Sequence, residues 1–124
     1  MAKVLGVGGV FFKARDADAL RAWYTRVLGL EFKDWGGVVF LPDALAAHPG
    51  SATIFTPMSS AEQMAPSTHE CMFNLVVDDL DGVLARCAAE GVEAISREDS
   101  FNGRFAHIMD PEGRKVELWE PKPF

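Results

Sequence analysis

The sequence predicts an α+β fold of two tandem βαβββ modules. Their curled mixed sheets would form a cleft, with one helix per module packed on the outer face. Two observations carry this. Segment 9–24, GVFFKARDADALRAWY, lies on segment 72–87, MFNLVVDDLDGVLARC, at a shift of 63 residues. Asp16 then falls on Asp79, Asp18 on Asp81, Leu20 on Val83 and Ala22 on Ala85. Segment 52–57, ATIFTP, lies on segment 116–121, VELWEP, at a shift of 64, with Ile54 on Leu118, Phe55 on Trp119 and Pro57 on Pro121. Two co-linear matches at nearly one shift indicate an internal duplication. With 124 residues the chain has room for one core. The modules 1–57 and 70–124 are therefore halves of one compact domain, joined by a Ser-, Pro- and Met-rich linker over 58–69.

Each module opens with a strand that runs into an aspartate. Asp16 and Asp79 are N-cap residues, because a carboxylate accepts the unpaired N–H groups of a first helical turn. In the first helix Leu20, Trp23, Tyr24, Val27 and Leu28 form one apolar stripe; in the second, Leu80, Val83, Leu84, Cys87 and Ala88 do. Gly29 and Gly91 close the two helices in the left-handed conformation. Three short strands are expected after each helix, at Glu31–Trp35, Val38–Leu41 and Ala52–Thr56, then at Val92–Ser96, Arg104–Met109 and Lys115–Glu120.

The last strand contains a residue that its neighbours do not explain. Glu117 stands between Val116 and Leu118. Strands alternate faces, so the aliphatic pair suits the helix side and Lys115, Glu117 and Trp119 look into the cleft. The turn Asp110-Pro111-Glu112-Gly113-Arg114 should fold the preceding strand back as a hairpin. If Asp110 faces Arg114, equal spacing sets His107 opposite Glu117, with Phe105 and Met109 on the same face. By the same parity the cleft wall includes Phe11, Lys13, Thr53, Phe55, Met72, Asn74, Phe105 and Trp119. A few convergent polar groups among aromatics are the usual composition of a small-molecule site. Glu117 and His107 are the candidate acid–base pair.

Composition excludes several classes. A net charge of −6 argues against a phosphate-backbone partner. No apolar run approaches the length of a membrane span, and the N-terminus lacks the pattern of a secretory leader. The two cysteines form no CxxC pair, consistent with a reduced cytoplasmic protein with buried thiols. GVGG at Gly6–Gly9 is not a dinucleotide fingerprint. No Ser–His–Asp or Cys–His nucleophile pattern stands out.

The twofold βαβββ plan, the RAWYTRVLGLEF helix and the DPEGRKVELWE ending resemble the vicinal oxygen chelate superfamily. That group includes glyoxalase I, bleomycin- and fosfomycin-resistance proteins, extradiol dioxygenases and methylmalonyl-CoA epimerase. Its metal-dependent members place one ligand on the first strand of each module and one on the last. The resemblance puts Glu117 on one of these positions. The other three hold Gly9, Thr53 and Met72. One carboxylate, a weak hydroxyl, a thioether and a glycine do not make a divalent-metal site. No metal or other cofactor is therefore expected. His69 precedes the fifth strand and would need a register shift to replace Met72.

Two functions follow. The first is a metal-free binding protein of the bleomycin-resistance type, holding a small, partly aromatic molecule with Glu117 on a cationic or hydrogen-donating group. The alternative is a lyase, isomerase or dioxygenase-type enzyme in which Glu117 is general base or metal ligand. There, apolar burial would raise the pKa of Glu117 towards neutrality, and Asn74 and Lys13 are the candidate oxyanion partners. The resemblance also implies a homodimer that buries the glycine-bearing first strand or nearby sheet edges.

Overall fold

The computed structural model describes residues 2–123; the outermost residues of the two expected modules, Met1 and Phe124, lie outside this range. Its strands, among the described residues, are β1 (Phe73–Val76), β2 (Ser96–Ser100), β3 (Gly103–Met109) and β4 (Lys115–Pro121). Its α-helices are α1 (Ala17–Leu28), the short α2 (Pro42–Ala46) and α3 (Leu80–Ala89). The strands form one mixed sheet in the order β1-β4-β3-β2. The β1–β4 pair is parallel and the other two pairs are antiparallel. The second half thus runs β-α-β-β-β, as its sequence pattern implies.

Both long helices are capped as expected. Asp16 accepts from the Ala19 amide and Asp79 from the Gly82 amide. Gly29 ends α1 at φ 72°, and Gly91 follows α3 at φ 78°. Leu20, Trp23, Tyr24 and Val27 of α1 are buried together with Leu80 and Cys87 of α3 against Ala106, Ile108, Val116 and Leu118 of the sheet. Each fully buried aliphatic side chain here contributes roughly 1.5–3 kcal/mol of transfer free energy. The stripe of α3 is narrower than its spacing implies, since Ala88 is exposed. Cys71 is exposed as well, so only Cys87 is a buried thiol.

The first half departs from expectation. Segments 31–35, 38–41 and 52–56 carry strand-like patterns, yet none joins a ladder, and neither does the segment before Asp16. A strand pattern becomes a strand only when a partner satisfies its backbone groups, and these segments pair with no strand among the described residues. Helix α1 accordingly packs beside α3 on the second-half sheet rather than on a sheet of its own. Val4, Leu5, Phe11, Phe40, Ile54 and Phe55 are left exposed. In the second half, β2 occupies Ser96–Ser100, later than the expected Val92–Ser96. Phe101-Asn102 is the two-residue turn, flanked by the paired Ser100 and Gly103, so β2 ends immediately before it. Gly103 is at φ 148°, and a Cβ there would lie 2.5 Å from the Trp119 indole nitrogen. The 58–69 linker includes a 3₁₀ turn at Glu62–Met64. No described helix is long and apolar enough to cross a membrane.

Candidate functional site

The β3–β4 hairpin has the expected register. Met109 pairs with Lys115, His107 with Glu117 and Phe105 with Trp119. Val116 and Leu118 face the helices, so Glu117 projects from the opposite face of the sheet. The parallel β1–β4 register brings Asn74 beside it, and the β2–β3 register brings Ser96 beside His107. One row of side chains therefore crosses all four strands.

Hydrogen bonds join this row throughout. The Asn74 amide Nδ2 donates to Glu117 Oε1 at 2.7 Å. His107 Nε2 lies 2.7 Å from Glu117 Oε2, and Ser96 Oγ lies 2.8 Å from His107 Nδ1. Desolvation pushes the Glu117 carboxyl up. The hydrogen bonds from His107 and Asn74, with the charges of His107 and Lys115, outweigh it, and the net shift is downward. This corrects the expectation of a pKa raised towards neutrality. A buried carboxylate is raised only where its charge is left unpaired; here both oxygens have donors. A carboxylate can only accept, so His107 Nε2 carries the proton. In the neutral ring Nδ1 then accepts from the Ser96 hydroxyl.

An aromatic pair adjoins the row. Phe105 and Trp119 stack nearly parallel, with centroids 6.0 Å apart and planes 3° apart. Trp119 Nε1 donates to the Asn102 carbonyl, which anchors the buried indole. On the other side Lys115 Nζ donates to the Gln63 carbonyl and ties the linker down beside the row.

Of the expected site residues, the structure brings Asn74, His107 and Glu117 together, with Phe105 and Trp119 next to them. Met72 is half-buried just before β1. Phe11, Lys13, Thr53 and Phe55 are exposed on first-half segments that pair with no strand. His69 is engaged elsewhere, its Nε2 at 2.9 Å from the Glu112 carbonyl. Ser96 was missed: the Asn102-Gly103 dipeptide suggests a turn one residue later than the observed Phe101-Asn102, and only the Ser100–Gly103 pairing sets Ser96 opposite His107. The polar run Ser-Arg-Glu-Asp-Ser of β2 hid the strand; charged edge strands of this kind discourage further pairing.

Both Glu117 oxygens are already engaged, while Gly9 and Thr53 lie on the exposed first-half segments. Among the described residues no group of three or more His, Cys, Asp or Glu side chains is gathered as a metal site requires.

The Asp110–Arg114 turn is a structural clasp. Asp110 Oδ1 accepts from the Glu112 and Arg114 amides, and Asp110 Oδ2 accepts from the Tyr24 hydroxyl of α1. Burial and the Asp110 charge push the Tyr24 phenol far above its usual range. The Glu112 carboxylate accepts from the Asp16 and Arg15 amides, with Arg114 alongside, and is held down to about 2. Two surface depressions lie away from the row. One of about 500 Å³ is lined by Lys13, Arg15, Thr68, His69, Glu112 and Arg114 among others. One of about 340 Å³ is lined by Arg97, Glu98, Asp99 and Arg104.

Comparison with known proteins agrees with this architecture. A glyoxalase/bleomycin resistance protein/dioxygenase domain from Frankia sp. EAN1pec is similar at a TM-score of 0.61 and 17% identity, over 97% of this chain and 100% of that one. A lactoylglutathione lyase from Agrobacterium tumefaciens is similar at 0.52 and 24% identity, over 86% and 87%. At these identities the likeness is one of fold. An antibiotic binding protein from Streptomyces sp. CB03234 is 32% identical, with a TM-score of 0.38 over 40% of this chain and 41% of that one; this chain thus spans less than half of that protein. No curated protein matches. The glyoxalase-like domain family matches residues 9–119, nearly the whole chain, and the protein therefore belongs to that family, within the vicinal oxygen chelate superfamily.

Proposed function

We propose that this protein is a binding member of the glyoxalase/bleomycin-resistance-like group. It takes a small, partly aromatic molecule with a cationic or hydrogen-donating group, and does so without metal. The observation that carries this reading is the Glu117 carboxylate, held anionic between Asn74 and His107 beside the stacked Phe105–Trp119 pair. An anion of lowered basicity is a good counter-charge and a poor proton acceptor, which disfavours the general-base alternative. The nearby groups offer little to an enolate oxygen: Lys115 Nζ donates to Gln63, and the Asn74 amide donates to Glu117.

The test is calorimetric titration with an arylalkylamine, its neutral alcohol analogue and its carboxylate analogue, on chelator-treated protein. Saturable binding that favours the amine is expected, with no change on adding Zn, Ni, Mn or Fe. Binding that requires one of these metals, or that prefers the carboxylate, overturns the reading.

The exposed first-half segments belong to the same proposal. As the first of two tandem modules, they would bring Phe11, Thr53 and Phe55 to the open face of a sheet in a homodimer, which would also cover their apolar side chains. Light scattering at high micromolar concentration should return about twice the chain mass of 13.6 kDa. A monomer overturns the assembly.

A further inference from the structure

The row across the sheet contains an arrangement that small-molecule binding does not require. Ser96 Oγ, His107 and Glu117 follow one another through contacts of 2.8 and 2.7 Å, in the order nucleophile, base and orienting carboxylate. We propose that Ser96 is an acyl-accepting nucleophile for activated esters, with His107 Nδ1 as its general base and Glu117 as the group that fixes the ring.

The geometry meets two requirements of an activated serine, a base within hydrogen-bond reach and a carboxylate that orients that base. Glu117 is anionic and accepts only, so it holds the proton on Nε2 and leaves Nδ1 free to take one from Ser96. The imidazole is 10% exposed and the carboxylate side chain 18% exposed, so both are largely shielded from competing water. Asn74 occupies the second carboxylate oxygen and keeps Glu117 in the plane of the row. Ser96 itself is exposed at the start of the edge strand β2, where a substrate can approach the hydroxyl. A hydroxyl needed only to satisfy a buried histidine nitrogen would not need that access.

The step balances. Ser96 Oγ forms a bond to the acyl carbon, the ester C–O bond breaks, and the Ser96 proton passes through Nδ1 to the departing alkoxide or phenolate. Water then attacks the acyl-Ser96 ester, giving its proton to Nδ1 and returning the hydroxyl to Ser96. The carboxylic acid and the alcohol are released, with no oxidant or reductant involved.

This inference shares Glu117 and His107 with the proposed binding site but is tested separately. The full chain is treated with a fluorophosphonate probe, followed by intact mass and peptide mapping, alongside p-nitrophenyl acetate turnover. The expected result is one adduct, on Ser96, absent in Ser96→Ala. His107→Phe should slow labelling by about 10²-fold or more, the general-base contribution. Circular dichroism of both variants checks that they fold, and a variant that does not is replaced by Ser96→Val or His107→Gln. No adduct on Ser96, or labelling that ignores His107, overturns the proposal. Amine binding that survives without labelling overturns only the nucleophile; labelling without amine binding overturns only the binding function.

Discussion

Asp110→Ala should lower stability by about 3–5 kcal/mol, the cost of removing one partner of a buried ion pair. The Asp110 side chain is 0% exposed and Arg114 5% exposed, with 3.6 Å between Arg114 and Asp110 Oδ2. Loss of the carboxylate leaves the Arg114 guanidinium with Glu112 alone as acidic partner and strips the Glu112 and Arg114 amides of their acceptor. It also frees the Tyr24 hydroxyl, so α1 loses one of its polar ties to the hairpin, and Glu112 alone still holds the Arg15 and Asp16 amides. Tyr24→Phe removes only that tie and should cost about 1 kcal/mol. Urea unfolding of both single variants and the double variant measures the coupling; a loss below about 1 kcal/mol for Asp110→Ala would show that the clasp does not hold the helix. The same turn should be acid-sensitive. Glu112 has a depressed folded pKa, so its contribution is fully present above the ordinary carboxylate range. It is lost as pH falls through that range towards about 2. Glu112→Gln should flatten that part of the stability–pH curve.

Glu117→Gln should weaken binding of an arylalkylamine about 10- to 100-fold, the loss of a charge-assisted hydrogen bond at a largely buried site. The shape of the site is kept, the amide oxygen can still accept from His107, and its NH2 can meet Asn74 once that exposed amide turns its Oδ1 inward, so stability should fall by only about 1 kcal/mol. The stability that is lost belongs to the carboxylate, whose folded pKa is lowered. In the parent protein it is present above the ordinary carboxylate range and disappears as pH drops through the lowered value. Calorimetric titration and thermal unfolding on the same preparations separate the two effects. If stability collapses while amine affinity is unchanged, Glu117 is a structural carboxylate and the binding reading fails. His107→Phe should weaken amine binding less, because the anion remains.

The sequence alone determined what depends on a few neighbouring residues. Asp16 and Asp79 capped the helices, and Gly29 and Gly91 ended them, because capping acts within one turn. The Asp110–Arg114 turn set the hairpin register, and alternation then sent Val116 and Leu118 to the helices and Glu117 to the other face. Only the tertiary structure decided what depends on partners distant in the chain. The first-half patterns were strand-like, but a ladder needs a second strand, and none of these segments is paired among the described residues. Helix α1 could have covered its own module, and Tyr24 instead joined Asp110, 86 residues away. Ser96 entered the row through the pairing of β2 with β3, in a charged segment that carries no apolar alternation. The direction of the Glu117 shift was also out of reach. Apolar neighbours in sequence argue for desolvation, whereas the donors that reverse it, Asn74 and His107, are set at 2.7 Å by strands on either side. Hydrogen-bond electrostatics at that distance outweighs burial, and only the folded sheet supplies the distance.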